Sequence, residues 1–224
     1  MKKHFILILF GFISITNAQD FANLDRFKSQ NIELMRKELN DPLVVFMGNS
    51  ITEGWLNEKL TFFENPWFVN RGIGGQTTSQ MLLRFRQDVI DLQPRVVVIL
   101  AGINDIAQNQ GPIAVEDIFG NLKSMCELAK INDINVVLCS VLPAKEFPWR
   151  MEINPIDKVA ELNALLKDYA RKKNIIYVDY YSKLVTKEFG LPADLTSDEV
   201  HLTIKGYKTL EPIVMRGINK ALNN

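Results

Sequence analysis

The sequence predicts an open α/β sheet, because short apolar runs alternate with segments of helical spacing along most of its 224 residues. The runs are apolar at nearly every position, which is typical of parallel strands covered on both faces. Right-handed crossovers between such strands place the intervening helices on both sides of the sheet. In this architecture the functional site lies beyond the carboxyl ends of the strands.

Five strands and five helices are expected from this pattern. The strands are residues 43–47, 67–70, 95–101, 135–141 and 175–179. The helices are a leading helix at 25–39, followed by 78–92, 115–131, 156–173 and 203–222. Breakers fall between elements, with Asn40-Asp41-Pro42 before the first strand and Gln93-Pro94 before the third. No repeat, low-complexity tract or linker divides the chain, so we expect a single domain.

The first eighteen residues have the layout of a secretory signal peptide. Lys2 and Lys3 precede an apolar run at residues 5–15, and a short polar stretch ends at Ala18. The apolar run is too short to span a bilayer, which needs about 20 residues. We therefore expect cleavage after Ala18, a mature domain at residues 19–224, and export to the periplasm or the medium. No cysteine stands directly after Ala18, so no lipid anchor is expected at the mature end, and the short apolar run makes stable membrane insertion unexpected.

The charge balance bears on partners. The chain carries 26 basic and 26 acidic side chains. Nucleic acid or an anionic membrane surface as a partner would favour an excess or a cluster of Lys and Arg. We therefore expect neither as a partner.

The two cysteines, Cys126 and Cys139, occupy apolar-patterned positions in an expected helix and an expected strand. We expect them to be buried thiols, and one disulfide stays open as the alternative in an exported protein. Neither cysteine lies in a metal-ligand spacing. One histidine in the mature chain with scattered carboxylates is a poor ligand set, so no metal is expected.

Polar and glycine-rich blocks follow the first three expected strands, and a fourth lies near the C-terminus. The blocks are Gly48-Asn49-Ser50-Ile51-Thr52, Asn70 to Thr77, Gly102-Ile103-Asn104-Asp105 and Asp198-Glu199-Val200-His201. Because parallel strands end at the same edge of a sheet, these blocks are expected to gather on one rim.

Three residues of these blocks are suited to acyl transfer from an ester, which needs an activated hydroxyl and a base. Ser50 offers the hydroxyl at the end of a strand. His201 offers the base, since the only other histidine, His4, lies in the predicted signal peptide. Asp198, three residues earlier, can fix the tautomer of His201 that accepts the Ser50 proton at Nε2. We expect these three residues to form a catalytic triad.

Acyl transfer also needs donors for the developing oxyanion. The expected donors are the backbone N–H groups of Ser50 and Gly75 and the side-chain amide of Asn104. Glycine allows close approach of the backbone, and the asparagine amide is a neutral donor. Asp105 is expected to be structural, bonding the loops of the rim.

Each block alone has an ordinary structural interpretation as a turn or a helix cap. A glycine-rich loop before a helix can also cradle phosphate. The sequence has neither Gly-Lys-Ser/Thr nor a dinucleotide fingerprint with a spaced third glycine. The pattern around Ser50 also differs from the Gly-x-Ser-x-Gly elbow of α/β-hydrolases.

Taken together, the four blocks resemble the SGNH, or GDSL-like, hydrolase superfamily, which is named for its Ser, Gly, Asn and His. Here these are Ser50, Gly75, Asn104 and His201, in the family's order. The resemblance implies a flavodoxin-like three-layer α/β/α sandwich with a central parallel five-stranded sheet. It also implies a carboxylic ester hydrolase that uses no cofactor. Asn49 stands where the name-giving motif has Asp, and Leu202 stands where relatives often have Pro.

Aromatic side chains near the rim bear on the substrate. Trp55 and, in the loop after the fourth strand, Phe147 and Trp149 are expected to line the substrate pocket, with core or loop packing as the alternative for each. The sequence has no long apolar lid, which favours a short acyl group. Together with the resemblance, this absence implies removal of acetyl from a carbohydrate or a similar small ester, so the expected partner is a small-molecule or glycan ester. A lysophospholipase or thioesterase on the same residues stays open, as does a non-catalytic carbohydrate-binding protein.

Overall fold

A computed structural model describes residues 20–37 and 41–224 and contains a five-stranded parallel sheet in the order β2-β1-β3-β4-β5. The strands are β1 Val44–Gly48, β2 Phe68–Gly72, β3 Val96–Leu100, β4 Asn135–Cys139 and β5 Ile176–Val178. The register places Gly48 opposite both Gly72 and Leu100, so the first three strands end at the same level. The expected fold class is confirmed, and the strand ends differ from expectation by one or two residues.

The helices alternate with the strands. They are α1 Lys28–Met35, α2 Ser50–Glu53, α3 Thr78–Asp88, α4 Ile103–Ile106, α5 Val115–Ile131, α6 Ile156–Lys173, α7 Tyr181–Leu184 and α8 Ile204–Leu222. Short 3-10 turns lie at Gly54–Leu56, Phe62–Glu64 and Ile90–Leu92. The expected helix 78–92 divides into α3 and the third of these turns, because Val89 leaves the helical region with φ −131° and ψ −64°. The short helices α2, α4 and α7 were not expected.

The helices cover both faces of the sheet. Helices α3, α5 and α6 pack against one another in one layer, whereas α8 packs against β3, β4 and β5 in the other. A Cβ at Gly217 would lie 2.7 Å from the Val178 side chain, so this glycine allows α8 to approach the sheet closely. The chain runs from β1 out to the edge strand β2 and returns to β3. This reversal puts the topological switch point, the usual ligand site of such sheets, at the carboxyl ends of β1 and β3.

An aromatic cluster fills the core beside β1. The indole of Trp55 is 2% exposed and lies 5.2 Å from the ring of Phe62, 6.2 Å from Phe46 and 5.4 Å from Tyr207. A side chain enclosed in this way offers no surface to a substrate. The position contradicts the expectation that Trp55 lines a pocket and supports the alternative of core packing.

Cys126 on α5 and Cys139 on β4 are both buried free thiols, as expected. Burial raises the pKa of each thiol to about 12, so both stay protonated at neutral pH. They therefore serve as small apolar side chains of the core.

The predicted signal peptide and residues 38–39 of the expected leading helix lie outside the described residues. Within 20–37 and 41–224, no helix combines the length and the apolar character that crossing a bilayer requires.

Candidate active site

Ser50, His201 and Asp198 form a hydrogen-bonded chain at the carboxyl end of the sheet. The Oγ of Ser50 lies 2.9 Å from Nε2 of His201, and Nδ1 of His201 lies 2.7 Å from Oδ2 of Asp198. Ser50 is the first residue of α2, directly beyond β1. The other two residues lie in the loop that precedes α8, so the fold joins residues 151 positions apart.

The Asp198 carboxylate is oriented by backbone donors. Its Oδ1 accepts the N–H groups of His201 at 2.7 Å and Val200 at 3.2 Å, which leaves Oδ2 facing the imidazole. Partial burial raises the pKa of Asp198, whereas the hydrogen bonds from His201 lower it. The lowering is the larger effect, so the pKa lies below its ordinary value. An ionised carboxylate only accepts, so Nδ1 carries the proton and Nε2 is left to accept from Ser50.

The loop that carries these two residues is closed by local bonds. The carbonyl of His201 accepts from the backbone N–H of Ser197 and the hydroxyl of Thr196, both at 2.9 Å. Thr203 then begins α8, because its hydroxyl accepts the N–H of Gly206 at 3.1 Å. Thr203 is therefore the N-cap of this helix.

On the nucleophile side, Asn49 caps the short helix α2. Its Oδ1 accepts the N–H of Ile51 at 3.0 Å. Its Nδ2 is buried and has no partner among residues 20–37 and 41–224. Only the oxygen of this side chain bonds, and an aspartate would supply the same oxygen, which explains why asparagine is compatible with this position.

The glycine-rich turn after β2 lies beside the nucleophile. A Cβ at Gly72 would lie 2.2 Å from the backbone nitrogen of Glu53, so only glycine lets β2 end this close to α2. A Cβ at Gly74 would lie 3.8 Å from the Cβ of Ser50. Gly75 has φ +76°, in the left-handed region that favours glycine.

The three expected oxyanion donors lie on this rim, each with an available hydrogen. The Nδ2 of Asn104 donates one hydrogen to the carbonyl of Gln76 at 2.9 Å, and its second hydrogen remains. The backbone N–H groups of Ser50 and Gly75 donate to no acceptor in the part of the chain that the structure describes. These hydrogens can therefore be offered to an incoming carbonyl oxygen.

Asp105 ties two loops of the rim together, as expected. Its carboxylate accepts the backbone N–H of Thr78 at 3.0 Å and the Thr78 hydroxyl at 2.6 Å. Burial raises the pKa of Asp105 to about 6, although the bonds from Thr78 oppose this shift. The pair connects the turn after β3 to the first residue of α3.

The loop after β4 presents one aromatic residue to solvent and buries the other. Trp149 is 47% exposed, and its ring centroid lies 5.9 Å from that of His201. Phe147 is 0% exposed and packs 5.6 Å from Trp149, which contradicts the expectation that it lines the pocket. The Nη1 of Arg150 holds this loop in place by donating to the carbonyls of Ala107 and Gln108.

Sequence reasoning missed two buried polar residues behind the rim, Gln76 and Arg84. The sequence contained an indication for Arg84, because Arg84 and Asp88 are spaced i,i+4 on the same face of α3 as the buried Met81. No signal distinguished Gln76 from an ordinary loop residue.

A family model for the GDSL-like lipase/acylhydrolase family matches residues 46–209, a range that includes Ser50, Gly75, Asn104, Asp198 and His201. The chain belongs to this family. The SGNH/GDSL resemblance is thereby confirmed, and the chain is a member of a family of acyl hydrolases.

Known proteins similar to this GDSL-family chain include both solved structures and curated relatives. It superposes on a candidate acylhydrolase from Bacteroides fragilis with a TM-score of 0.87 and 49% identity, over 91% of this chain and 99% of that one. An acetylxylan esterase from Geobacillus stearothermophilus is 26% identical over 163 residues, which are 67% of this chain and 71% of the esterase. The uncharacterised lipoprotein YqeF from Bacillus subtilis is 33% identical over 81 residues, but these span only 33% of the lipoprotein.

Among the described residues, no group of three or more His, Cys, Asp and Glu side chains is arranged to hold a metal ion.

Proposed function

We propose that this chain is an exported serine hydrolase that cleaves carboxylic esters through an acyl-Ser50 intermediate. The observation that carries the proposal is the hydrogen-bonded chain from Ser50 to His201 to Asp198, with distances of 2.9 and 2.7 Å. Its order, hydroxyl to imidazole to carboxylate, is the arrangement that activates a serine nucleophile.

The reaction follows from the tautomer of His201, which carries its proton at Nδ1 and accepts at Nε2. Ser50 Oγ attacks the ester carbonyl while Nε2 of His201 takes its proton, and Asp198 stabilises the imidazolium that forms. The carbonyl oxygen becomes an oxyanion and accepts from the N–H groups of Ser50 and Gly75 and from the Asn104 amide. When the tetrahedral intermediate collapses, Nε2 returns the proton to the leaving alcohol. Water then attacks the acyl-Ser50 ester with His201 again as the base. Nε2 returns the proton to Ser50 Oγ as the carboxylic acid leaves, which regenerates the hydroxyl.

The alcohol part of the substrate is inferred from the same geometry. The leaving oxygen takes its proton from Nε2, so the alcohol lies against whatever flanks the imidazole. Trp149 flanks it with a half-exposed ring, and a flat aromatic face suits the apolar face of a sugar. The similarity to an acetylxylan esterase supports a short acyl group on a carbohydrate. We therefore propose acetyl removal from a glycan.

Export is proposed from the N-terminal sequence, with its two lysines, its apolar run and the small residue Ala18. The similarity to a bacterial lipoprotein, although it covers a small part of that protein, supports a location outside the cytoplasm.

The test uses p-nitrophenyl esters of increasing chain length. We expect turnover to be greatest with acetate, and Ser50→Ala to lower kcat by about 10⁴-fold or more. A fluorophosphonate probe should add one equivalent to Ser50, read by peptide mass spectrometry, and leave Ser50→Ala unlabelled. A maximum at long chains would favour a lysophospholipase, and an absence of both turnover and labelling would favour a binding protein.

The natural ester is sought with a panel of acetylated oligosaccharides, with acetate release as the readout. We expect Trp149→Ala to raise KM for the sugar esters and to leave KM for p-nitrophenyl acetate within about threefold, because the small ester makes little contact with the Trp149 ring. An equal change with both substrates would contradict the assignment of Trp149 to the alcohol part.

A further inference from the structure

A fully buried guanidinium lies behind the glycine-rich turn and bonds to three separate segments of the rim. The Arg84 side chain is 0% exposed. Its Nη2 donates to the carbonyls of Gly48 at 3.2 Å and Arg71 at 2.8 Å, and its Nε donates to Oε1 of Gln76 at 2.6 Å. One planar group therefore joins the end of β1, the end of β2 and the residue that follows Gly75.

Gln76 extends this connection to the expected oxyanion donors. Its side chain is buried, accepts from Arg84, and donates through Nε2 to the carbonyl of Ala22 at 2.7 Å. Its backbone carbonyl accepts from Nδ2 of Asn104 at 2.9 Å and so orients that amide. The residue is also bonded to Gly75 by the chain itself. The position of Gln76 therefore affects two of the three donors.

Arg84 is buried beside a carboxylate and a second cation. Burial lowers the pKa of Arg84, opposed by Asp88, whose Oδ2 accepts from Nη1 at 3.0 Å. Arg71 is a second buried cation nearby, and burial lowers its pKa to about 10. The negative charge of Asp88 thus stabilises the charged forms of both Arg84 and Arg71. Apolar residues of similar volume are often as stabilising as such a buried pair, so its exact hydrogen bonds suggest a role in positioning.

We propose that Arg84 and the side chain of Gln76 form a brace that positions the oxyanion donors, so that both are positioning residues for the ester hydrolysis proposed above. The inference rests on that proposed function. Donors act on the transition state rather than on the bound ester, so loss of the brace should lower kcat and leave KM nearly unchanged. A misplacement of about 1 Å at an active site costs about 10²-fold in rate, which sets the scale of the effect.

The test compares Gln76→Leu with the matched control Gln80→Leu, using p-nitrophenyl acetate. Gln80 is also buried and donates to the carbonyl of Phe21 at 2.8 Å. Its Oε1 accepts the N–H of Thr77 at 3.0 Å at the start of α3, but its side chain does not bond to Arg84. We expect Gln76→Leu to lower kcat about 10- to 100-fold with KM within about threefold. Gln80→Leu should lower kcat by less than about threefold, because it leaves the contacts to Arg84 and Asn104 intact.

A conservative variant separates positioning from a general structural role. Gln76→Glu keeps an oxygen acceptor for Arg84 but loses the donor to the Ala22 carbonyl, so it should recover part of the kcat lost in Gln76→Leu. Gln76→Asn is too short to reach Arg84 and serves if the leucine variant does not fold. Equal kcat losses in the Gln76 and Gln80 variants, or a folded Gln76→Leu or Gln76→Asn with unchanged kcat, would overturn the proposal.

The brace is also measured without turnover, so its failure is distinguishable from failure of the proposed function. Wild-type turnover and Ser50 labelling test the function. Hydrogen exchange at the amides of residues 73–76 tests the brace, and we expect faster exchange in Gln76→Leu than in Gln80→Leu. The Thr77 amide is left out because it donates directly to Oε1 of Gln80. Equal exchange in the two variants would contradict the brace whether or not the wild type cleaves esters.

Discussion

The two sides of Ser50 are built differently. On the glycine-rich side, Gln76, Arg84 and Asp105 are buried and hydrogen-bond to residues of several different elements. On the base side, the His201 and Asp198 side chains are 40% and 37% exposed. Their loop is closed mainly by bonds among residues 196 to 203, such as those from Thr196 and Ser197 to the His201 carbonyl.

Because of this difference, mutations on the two sides of Ser50 should have different effects on the reaction rate and on the free energy of unfolding. The base side is a local structure, so a change there should alter proton transfer and leave the fold intact. The glycine-rich side is fixed by long-range bonds between buried polar groups, and removing one partner leaves the other unsatisfied. Changes there should therefore affect the free energy of unfolding as well as the rate.

His201→Ala should give the largest effect and the clearest contrast. Without a base at Ser50, kcat should fall by about 10⁴- to 10⁶-fold. The midpoint of thermal unfolding should move by less than about 2 °C, because the imidazole is half-exposed and the loop bonds involve the His201 backbone. Activity on p-nitrophenyl acetate and circular dichroism melts check both parts. Near-normal turnover would remove His201 as the base, and a large drop in the midpoint would contradict the local character of this side.

Asp198→Asn should give the next largest effect, a fall in kcat of about 10³- to 10⁴-fold. The asparagine amide can donate to Nδ1 and thereby stabilise the tautomer in which Nε2 carries the proton and cannot accept from Ser50. Asp194→Asn is the control, since Asp194 is an exposed carboxylate of the same loop that pairs with Lys205. That variant should keep kcat within about twofold. Similar losses of kcat in the two variants would mean that the charge of the loop, rather than the tautomer of His201, determines kcat.

Much of the base side could be predicted from the sequence, because it depends on few residues and short spacings. Once His4 was assigned to the signal peptide, His201 was the single imidazole left, and Asp198 lay within one turn of it. The strands that bring Ser50 to the same rim were also predictable, since apolar runs covered on both faces have few other interpretations.

The glycine-rich side could not be predicted to the same extent. Helical periodicity assigns charged residues to the solvent face, yet Arg84 and Asp88 lie with 0% exposure on the buried face of α3. Burial of Arg84 is favoured by backbone carbonyls at the ends of β1 and β2, and burial of Asp88 by donors from Arg84 and Asn31, which only the assembled fold brings together. Trp149 and Phe147 illustrate the same limit, because two aromatics two residues apart differ in exposure through tertiary packing alone.

Asp105→Asn tests the buried side by its pH dependence. Because burial raises the folded-state pKa of Asp105 from 3.8 to about 6, its favourable contribution is fully present below pH 4 and is lost as the pH rises through 6. Relative to Asp105→Asn, the wild type should therefore lose about 2–3 kcal/mol of unfolding free energy between pH 4 and pH 7. Urea unfolding of both proteins at several pH values measures the difference. A constant difference across this range would mean that Asp105 titrates as it does in the unfolded chain.

Thr203→Ala should give the smallest effect and tests whether the base loop depends on the helix that follows it. The Thr203 hydroxyl accepts the Gly206 N–H at 3.1 Å and donates to the Asp194 carbonyl at 2.9 Å. Loss of a helix cap costs about 1 kcal/mol, which is a shift of about 2–4 °C in the unfolding midpoint for a chain of this size. Thr203→Ser keeps the hydroxyl and should restore most of that loss. If the base loop is closed by its own bonds, kcat should stay within about threefold in the alanine variant. A loss of kcat comparable to that of Asp198→Asn would instead mean that α8 holds the catalytic geometry, and the two sides of Ser50 would then both depend on distant packing.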